Sequence, residues 1–96
     1  MNEFFESLAK RWKNAAEHRG ADIAEPELDP KVADEILELA RVAAHTKERR
    51  FAPLASYMAG VAAERLRMSK AAEADDIASF IREVREELER EGPGSG

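Results

Sequence analysis

Side chains able to do chemistry concentrate between Arg41 and Pro53, where the chain reads R-V-A-A-H-T-K-E-R-R-F-A-P. Arg41, His45, Lys47, Arg49 and Arg50 fall together there, with Phe51 next in line. Guanidinium groups grip phosphates and carboxylates bidentately, and the free N–H groups of a helix N-terminus favour the same anions. Arg41, Arg49 and Arg50 would supply the anion contacts. His45 would orient the loop or add a switchable charge, and Phe51 would serve as an apolar anchor if exposed. A plainer reading stands beside this one. Cations at a helix C-terminus stabilise its dipole, and His45 would then only cap the last carbonyls.

The remaining reactive side chains are scattered. His18 and His45 lie on different segments, with no H-E-x-x-H or Glu-x-x-His spacing, so no metal site is expected. Asp75 and Asp76 fall in the first turns of a helix, where acids favour the dipole. Ser7, Ser56 and Ser79 have no nearby histidine, and none sits in a nucleophile-elbow motif. No glycine-rich phosphate loop is present. No catalytic residue and no cofactor is expected. Trp12, Tyr57 and Phe80 are read as core aromatics rather than a pocket lining. On that reading Trp12→Ala would cost about 3–5 kcal/mol.

Four helical segments position these residues. In the first, Phe4, Phe5, Leu8, Trp12, Ala15 and Ala16 share a face, with Asn2 as cap and Gly20 as stop. The linker 21–29 contains Pro26, and its Ile23 and Leu28 are expected to tuck inward. Asp29-Pro30 opens the second helix, whose stripe is Val32, Ile36, Leu39 and Ala43, widened by Leu37, with Val42 at the margin. The third starts near Pro53 and runs through Leu54, Tyr57, Met58, Val61, Ala62 and Leu66. Its Gly60 is costly in a helix, which points to close approach of another helix or of a ligand. Ser69 is taken as cap of the fourth, with Ala74, Ile77, Phe80, Ile81, Val84 and Leu88 inward. Arg82–Glu86, Glu86–Arg90 and Arg85–Glu89 pair at i, i+4 on its outer face.

These elements make an all-α fold, a compact four-helix bundle with short loops, packed antiparallel or orthogonally. The expected single domain is 1–91, and the Gly/Pro/Ser run 92–96 is read as a flexible tail. With 96 residues there is no room for two domains. The chain is 44% hydrophobic and 36% charged, which suits a globular domain rather than a disordered segment. Its net charge is -5, yet residues 31–68 carry seven basic and five acidic groups. The acidity argues against general binding to nucleic acid or anionic membranes. A helix-turn-helix is disfavoured too, because residues 53–57 offer no basic or amide side chain to read bases. Lack of cysteine fits a reducing cytoplasm, and neither a signal peptide nor a membrane span is read.

The run from Leu37 to Ala63 resembles a small actinobacterial helical domain family of unknown function. The elements that carry the resemblance are Leu37-Glu38-Leu39-Ala40-Arg41, then Ala44-His45, Glu48-Arg49, Ala52-Pro53-Leu54 and Gly60. Trp12 upstream belongs to the pattern, so the likeness spans most of residues 8–66. Members look like stand-alone proteins or C-terminal fusions to molybdenum-cofactor guanylyltransferases. The resemblance implies an accessory role near molybdopterin guanine dinucleotide assembly, with that enzyme as partner. The chain departs from the pattern at Arg50, where the family commonly has proline, followed here by Phe51.

Three functional readings follow. The first is a non-enzymatic interaction module that presents the 41–53 region to a partner or anion. The second is a small-molecule-binding or catalytic bundle, with a pocket between helices two and three around Gly60 and Tyr57. The third is a homodimer that buries the apolar surplus of helix three between copies. The catalytic form of the second reading requires a cavity containing a carboxylate or histidine with a strongly perturbed pKa. The homodimer requires a contiguous exposed apolar patch.

Overall fold

A computed structural model of the chain describes residues 3–91. Helices α1 (Glu3–His18), α2 (Pro30–Thr46), α3 (Phe51–Lys70) and α4 (Ala74–Glu91) account for most of them, and no strand occurs among the described residues. The all-α class and the four helices expected from hydrophobic periodicity are what the chain adopts. Asn2 as a cap and the 92–96 tail fall outside the described residues. The chain divides into two units, Met1–Pro30 and Lys31–Gly96.

In the first unit, Glu3 and Glu6 in the opening turn and His18 at the end complement the dipole of α1. Gly20 stops the helix at φ 79, a left-handed conformation that glycine adopts without steric cost. Its N–H donates to Glu17 O at 3.0 Å, and the Ala21 N–H donates to Ala16 O at 2.9 Å. Those two bonds form a Schellman cap. Lys13 Nζ then donates to Ile23 O at 3.0 Å and Asp22 Oδ1 at 3.2 Å, tying the linker to the helix. The expected apolar face is not a core. Ala9 is the buried residue of α1 among those described, while Trp12 is 58% exposed. Periodicity assigns residues to a face; it does not say how deeply that face is covered. Ile23 is likewise exposed, and Leu28 is half-buried.

The second unit is organised around Leu39, Ala63, Ala72, Ile77 and Ile81, contributed by α2, α3, the following link and α4. Pro30 opens α2 as expected, because its missing N–H is one a first turn leaves unpaired anyway. The inward face of α2 includes Val42, which is buried, whereas Leu37 is exposed on the other side. Two side-chain hydroxyls bond back along their own helices: Thr46 Oγ1 to Val42 O at 2.8 Å and Ser56 Oγ to Ala52 O at 3.0 Å.

Helix α3 begins at Phe51, two residues before the expected start, and places Pro53 within its first turn. The face it buries is not the one expected. Ala55, Ala59, Ala63 and Leu66 pack inward, and Leu54, Tyr57 and Met58 point away from the core. Small side chains let a helix approach its neighbours closely, which leaves the bulky ones to the opposite side. Gly60 is exposed, and a Cβ there would meet nothing within 4 Å, so no close helix approach accounts for it.

The turn between α3 and α4 also differs. Ser69 lies inside α3 and is not the cap of α4. The chain breaks at Ala71, in the left-handed conformation (φ 54, ψ 43), with its N–H donating to Arg67 O at 2.8 Å. Asp76 Oδ2 then accepts from the Glu73 N–H at 3.0 Å, just ahead of α4.

Candidate functional site

The 41–53 region spans the last turns of α2, the link 47–50 and the first turn of α3. Arg41 is exposed but engaged. Its Nε and Nη2 donate to Glu38 Oε1 at 3.2 and 3.0 Å, and Nη2 also reaches Glu89 Oε2 on α4 at 3.3 Å. The hydrogen bond to Glu38, followed by that residue's charge, holds the Arg41 guanidinium above its ordinary pKa. Arg50 is engaged as well, with Nε 3.0 Å and Nη2 2.9 Å from Glu48 Oε1. Arg49 is exposed and makes no ion pair among the described residues. His45 stands exposed in the last turn of α2, where a cation complements the dipole, and Phe51 is partly exposed.

The backbone at this helix start is largely satisfied. The Phe51 N–H donates to Glu48 O and the Ala52 N–H to Arg49 O, while Pro53 has no N–H. The first three positions of α3 thus hold no free amide to aim at an anion. Two of the three arginines expected to grip an anion already hold carboxylates. What remains outward in this region is Lys47, the Arg49 guanidinium, His45 and the Phe51 ring.

Arg41 belongs to a larger network between α2 and α4. Glu35 Oε2 accepts from Arg82 Nε at 2.9 Å, and Glu35 Oε1 from Arg85 Nη2 at 3.2 Å. Arg85 Nη1 donates to Glu89 Oε1 at 2.7 Å, and Glu89 leads on to Arg41 and Glu38. Of the i, i+4 pairs expected on α4, Arg85–Glu89 forms, whereas Arg82 turns to α2 instead. Arg85 follows Ile81 by four residues and therefore sits on the inward stripe of α4. Its Nε is buried without a hydrogen bond among the described residues. Burial pushes the Glu35 carboxyl upward, but the bonds and charges of Arg82 and Arg85 outweigh it and hold the group below its ordinary value. This network ties α2 to α4.

The second surface is the outward side of α3. Leu54 is 62% exposed, Tyr57 73%, Met58 70% and Met68 84%. Beside them runs a groove of about 600 Å³ lined by Tyr57, Met58, Val61, Ala62, Arg65, Leu66 and Phe80. It lies between α3 and α4, not between α2 and α3, and contains Tyr57 but not Gly60. Neither a carboxylate nor a histidine lines it, so it offers no general acid or base of that kind. No group of three or more histidines or acids able to hold a metal occurs among the described residues. No helix among them is long and apolar enough to cross a membrane.

A family model described as Domain of unknown function (DUF6457) matches residues 2–95. The chain belongs to that family. The match runs nearly end to end, so it takes in α4, which the likeness at residues 37–63 left to hydrophobic pattern alone. The search of curated proteins and the search of solved structures give no significant match.

Of the residues along this second surface, Tyr57 and Phe80 were expected in the core, whereas the homodimer reading had an apolar surplus on helix three left outward. The surplus arises because apolar residues surround α3, small ones at 55, 59 and 63 and large ones at 54, 57 and 58. A helix apolar on two sides has two surfaces to cover.

Proposed function

We propose that the chain is a non-enzymatic helical interaction module whose binding surface is the outward side of α3, with Arg49, Arg50 and Phe51 at its N-terminal rim. The observation that carries this reading is the exposure of Leu54, Tyr57, Met58 and Met68 on one helix. Contiguous exposed apolar surface of this kind marks interaction sites on small proteins. Arg41 acts in this reading as a brace to Glu38 and Glu89. Lys47 and Arg49, with Arg50 shared by Glu48, form a basic edge that favours an acidic patch or a phosphate on the partner.

A molybdenum-cofactor guanylyltransferase is the proposed physiological partner, supported by the resemblance at residues 37–63. A reducing cytoplasm is the matching compartment, supported by the lack of cysteine. Calorimetric titration with that enzyme tests the reading. Wild type is expected to bind, Met58→Asp to lose binding, and the Arg49→Ala, Arg50→Ala double variant to bind more weakly with a reduced salt dependence. Binding undiminished by Met58→Asp would refute the α3 surface. Parallel titrations of phosphate and GTP test the basic edge. Equal, salt-insensitive behaviour of wild type and the double variant would remove anion binding from the proposal.

A further inference from the structure

The exposed residues of α3 follow a heptad register. Phe51, Leu54, Met58, Val61, Arg65 and Met68 recur at alternating steps of three and four, so Phe51, Met58 and Arg65 fall at a positions and Leu54, Val61 and Met68 at d positions. All six lie within one stripe about 100° wide, because an α-helix turns about 100° per residue. Val61 is half-buried and the other five are exposed. The core-facing residues Ala55, Ala59, Ala63 and Leu66 occupy other positions of the same helix. Helix α3 therefore carries a heptad seam distinct from its core-facing stripe, exposed except at Val61, where it borders the groove against α4.

We propose that this seam pairs with the same seam of a second copy, in antiparallel register about a two-fold axis between Ala59 and Gly60. The proposal rests on the α3 surface of the preceding section and names its occupant in the isolated protein. Antiparallel seams set each a position against a d position of the other helix. Here Phe51 meets Met68 of the second copy, Leu54 meets Arg65, and Met58 meets Val61. Each contact occurs twice, as a two-fold interface requires. Phe51 on Met68 is a favourable sulfur–aromatic pair. The Arg65 stem lies on Leu54, and its guanidinium reaches the Tyr57 ring one turn along. Arg65 has no ion pair among the described residues to hold it back.

Charge selects the direction of pairing. In a parallel pair the two Arg65 side chains would face each other in the seam. In the antiparallel pair they stand 11 residues apart along the axis, about 16 Å at 1.5 Å per residue. That distance exceeds the screening length in physiological salt, which is about 8 Å. The area is also adequate. The exposed fractions of Leu54, Tyr57, Met58, Met68 and Phe51 amount to on the order of 600 Å² per copy, taking about 200 Å² for each large side chain. Specific interfaces begin near 600 Å² per partner and centre near 800 Å². A reversible dimer follows rather than an obligate one.

The chain has no cysteine, so introduced thiols report the register directly. Met58→Cys and Val61→Cys proteins are mixed in equal amounts in a glutathione redox buffer, with Leu37→Cys on exposed α2 as reference, and the disulfides are separated by mass. Antiparallel pairing yields the mixed 58–61 disulfide in several-fold excess over either homodisulfide. Sedimentation of cysteine-free wild type yields a species of two chains at high micromolar concentration. Met58→Asp, with helicity checked by circular dichroism, weakens it about a hundredfold by placing a carboxylate in an apolar seam. A monomer at every concentration, homodisulfides in excess, disulfides no faster than at position 37, or a dimer indifferent to Met58→Asp each overturns the proposal. A monomer that still loses its partner through Met58→Asp would sink the dimer and leave the interaction module standing.

Discussion

Replacing Glu35 by Gln keeps the shape of the side chain and removes the charge that Arg82 and Arg85 share. The Glu35 side chain is 12% exposed and that of Arg85 16%, so the pair lies between the surface and buried limits. Surface pairs contribute about 0–1 kcal/mol, and breaking a buried one costs about 3–5 kcal/mol. Arg82 is half-exposed and regains water, while Arg85 keeps Glu89. These offsets bring the expected loss at neutral pH to about 1–2 kcal/mol. The sign of the pH dependence follows from the lowered carboxyl. A group whose pKa is depressed in the folded state contributes stability above its unfolded value, near 4.5, and loses it as pH falls through the folded value. The gap between wild type and Glu35→Gln should therefore be full near pH 7 and narrow progressively below about pH 4.5. Urea unfolding of both proteins across that range measures the gap, and the subtraction removes the titration of the other acids. A cycle with Arg85→Met then apportions the coupling. Equal stability at pH 7, or a gap that does not change on acidification, would refute the assignment of Glu35 as the anionic centre of the α2–α4 network.

Two substitutions should stabilise the fold. Gly60→Ala adds a methyl group in open space on a helix, and a gain of about 0.5–1 kcal/mol is expected in thermal unfolding. A loss instead would mean that another group packs at this position. Ala71→Gly relieves the left-handed strain that an L side chain bears at φ 54, with a gain of about 1 kcal/mol by the same measurement. An unchanged or lower midpoint would show that the strain is not there.

The helices were legible because their signals are local. Asp29-Pro30 opens α2 and Gly20 closes α1, and each of these rests on backbone chemistry within a few residues. The break between α3 and α4 was misplaced because alanine carries no turn signal, and Ala71 takes a conformation that alanine rarely adopts. Burial was harder to read. Leu54, Tyr57 and Met58 have the right spacing for a core stripe, but their helix has a second apolar face at Ala55, Ala59 and Ala63. Only the packing partners decide between two such faces, and these are distant in the chain. The site divided in the same way. The cluster at 41–53 is visible in sequence, but Glu89 lies 48 residues from Arg41, and the long-range half of the pairing is invisible there.

The division of labour within α3 bears on how the protein can change over generations. The alanines that fix the helix in the core and the large side chains that meet the outside are different residues. Exchanges at Leu54, Met58 or Met68 change the outward face while moving stability by about 0.5 kcal/mol or less in either direction. Proteins drift near a stability threshold, and changes of that size do not cross it. A lineage built on this domain can thus rework its outward face through a few substitutions with the interior left as it is.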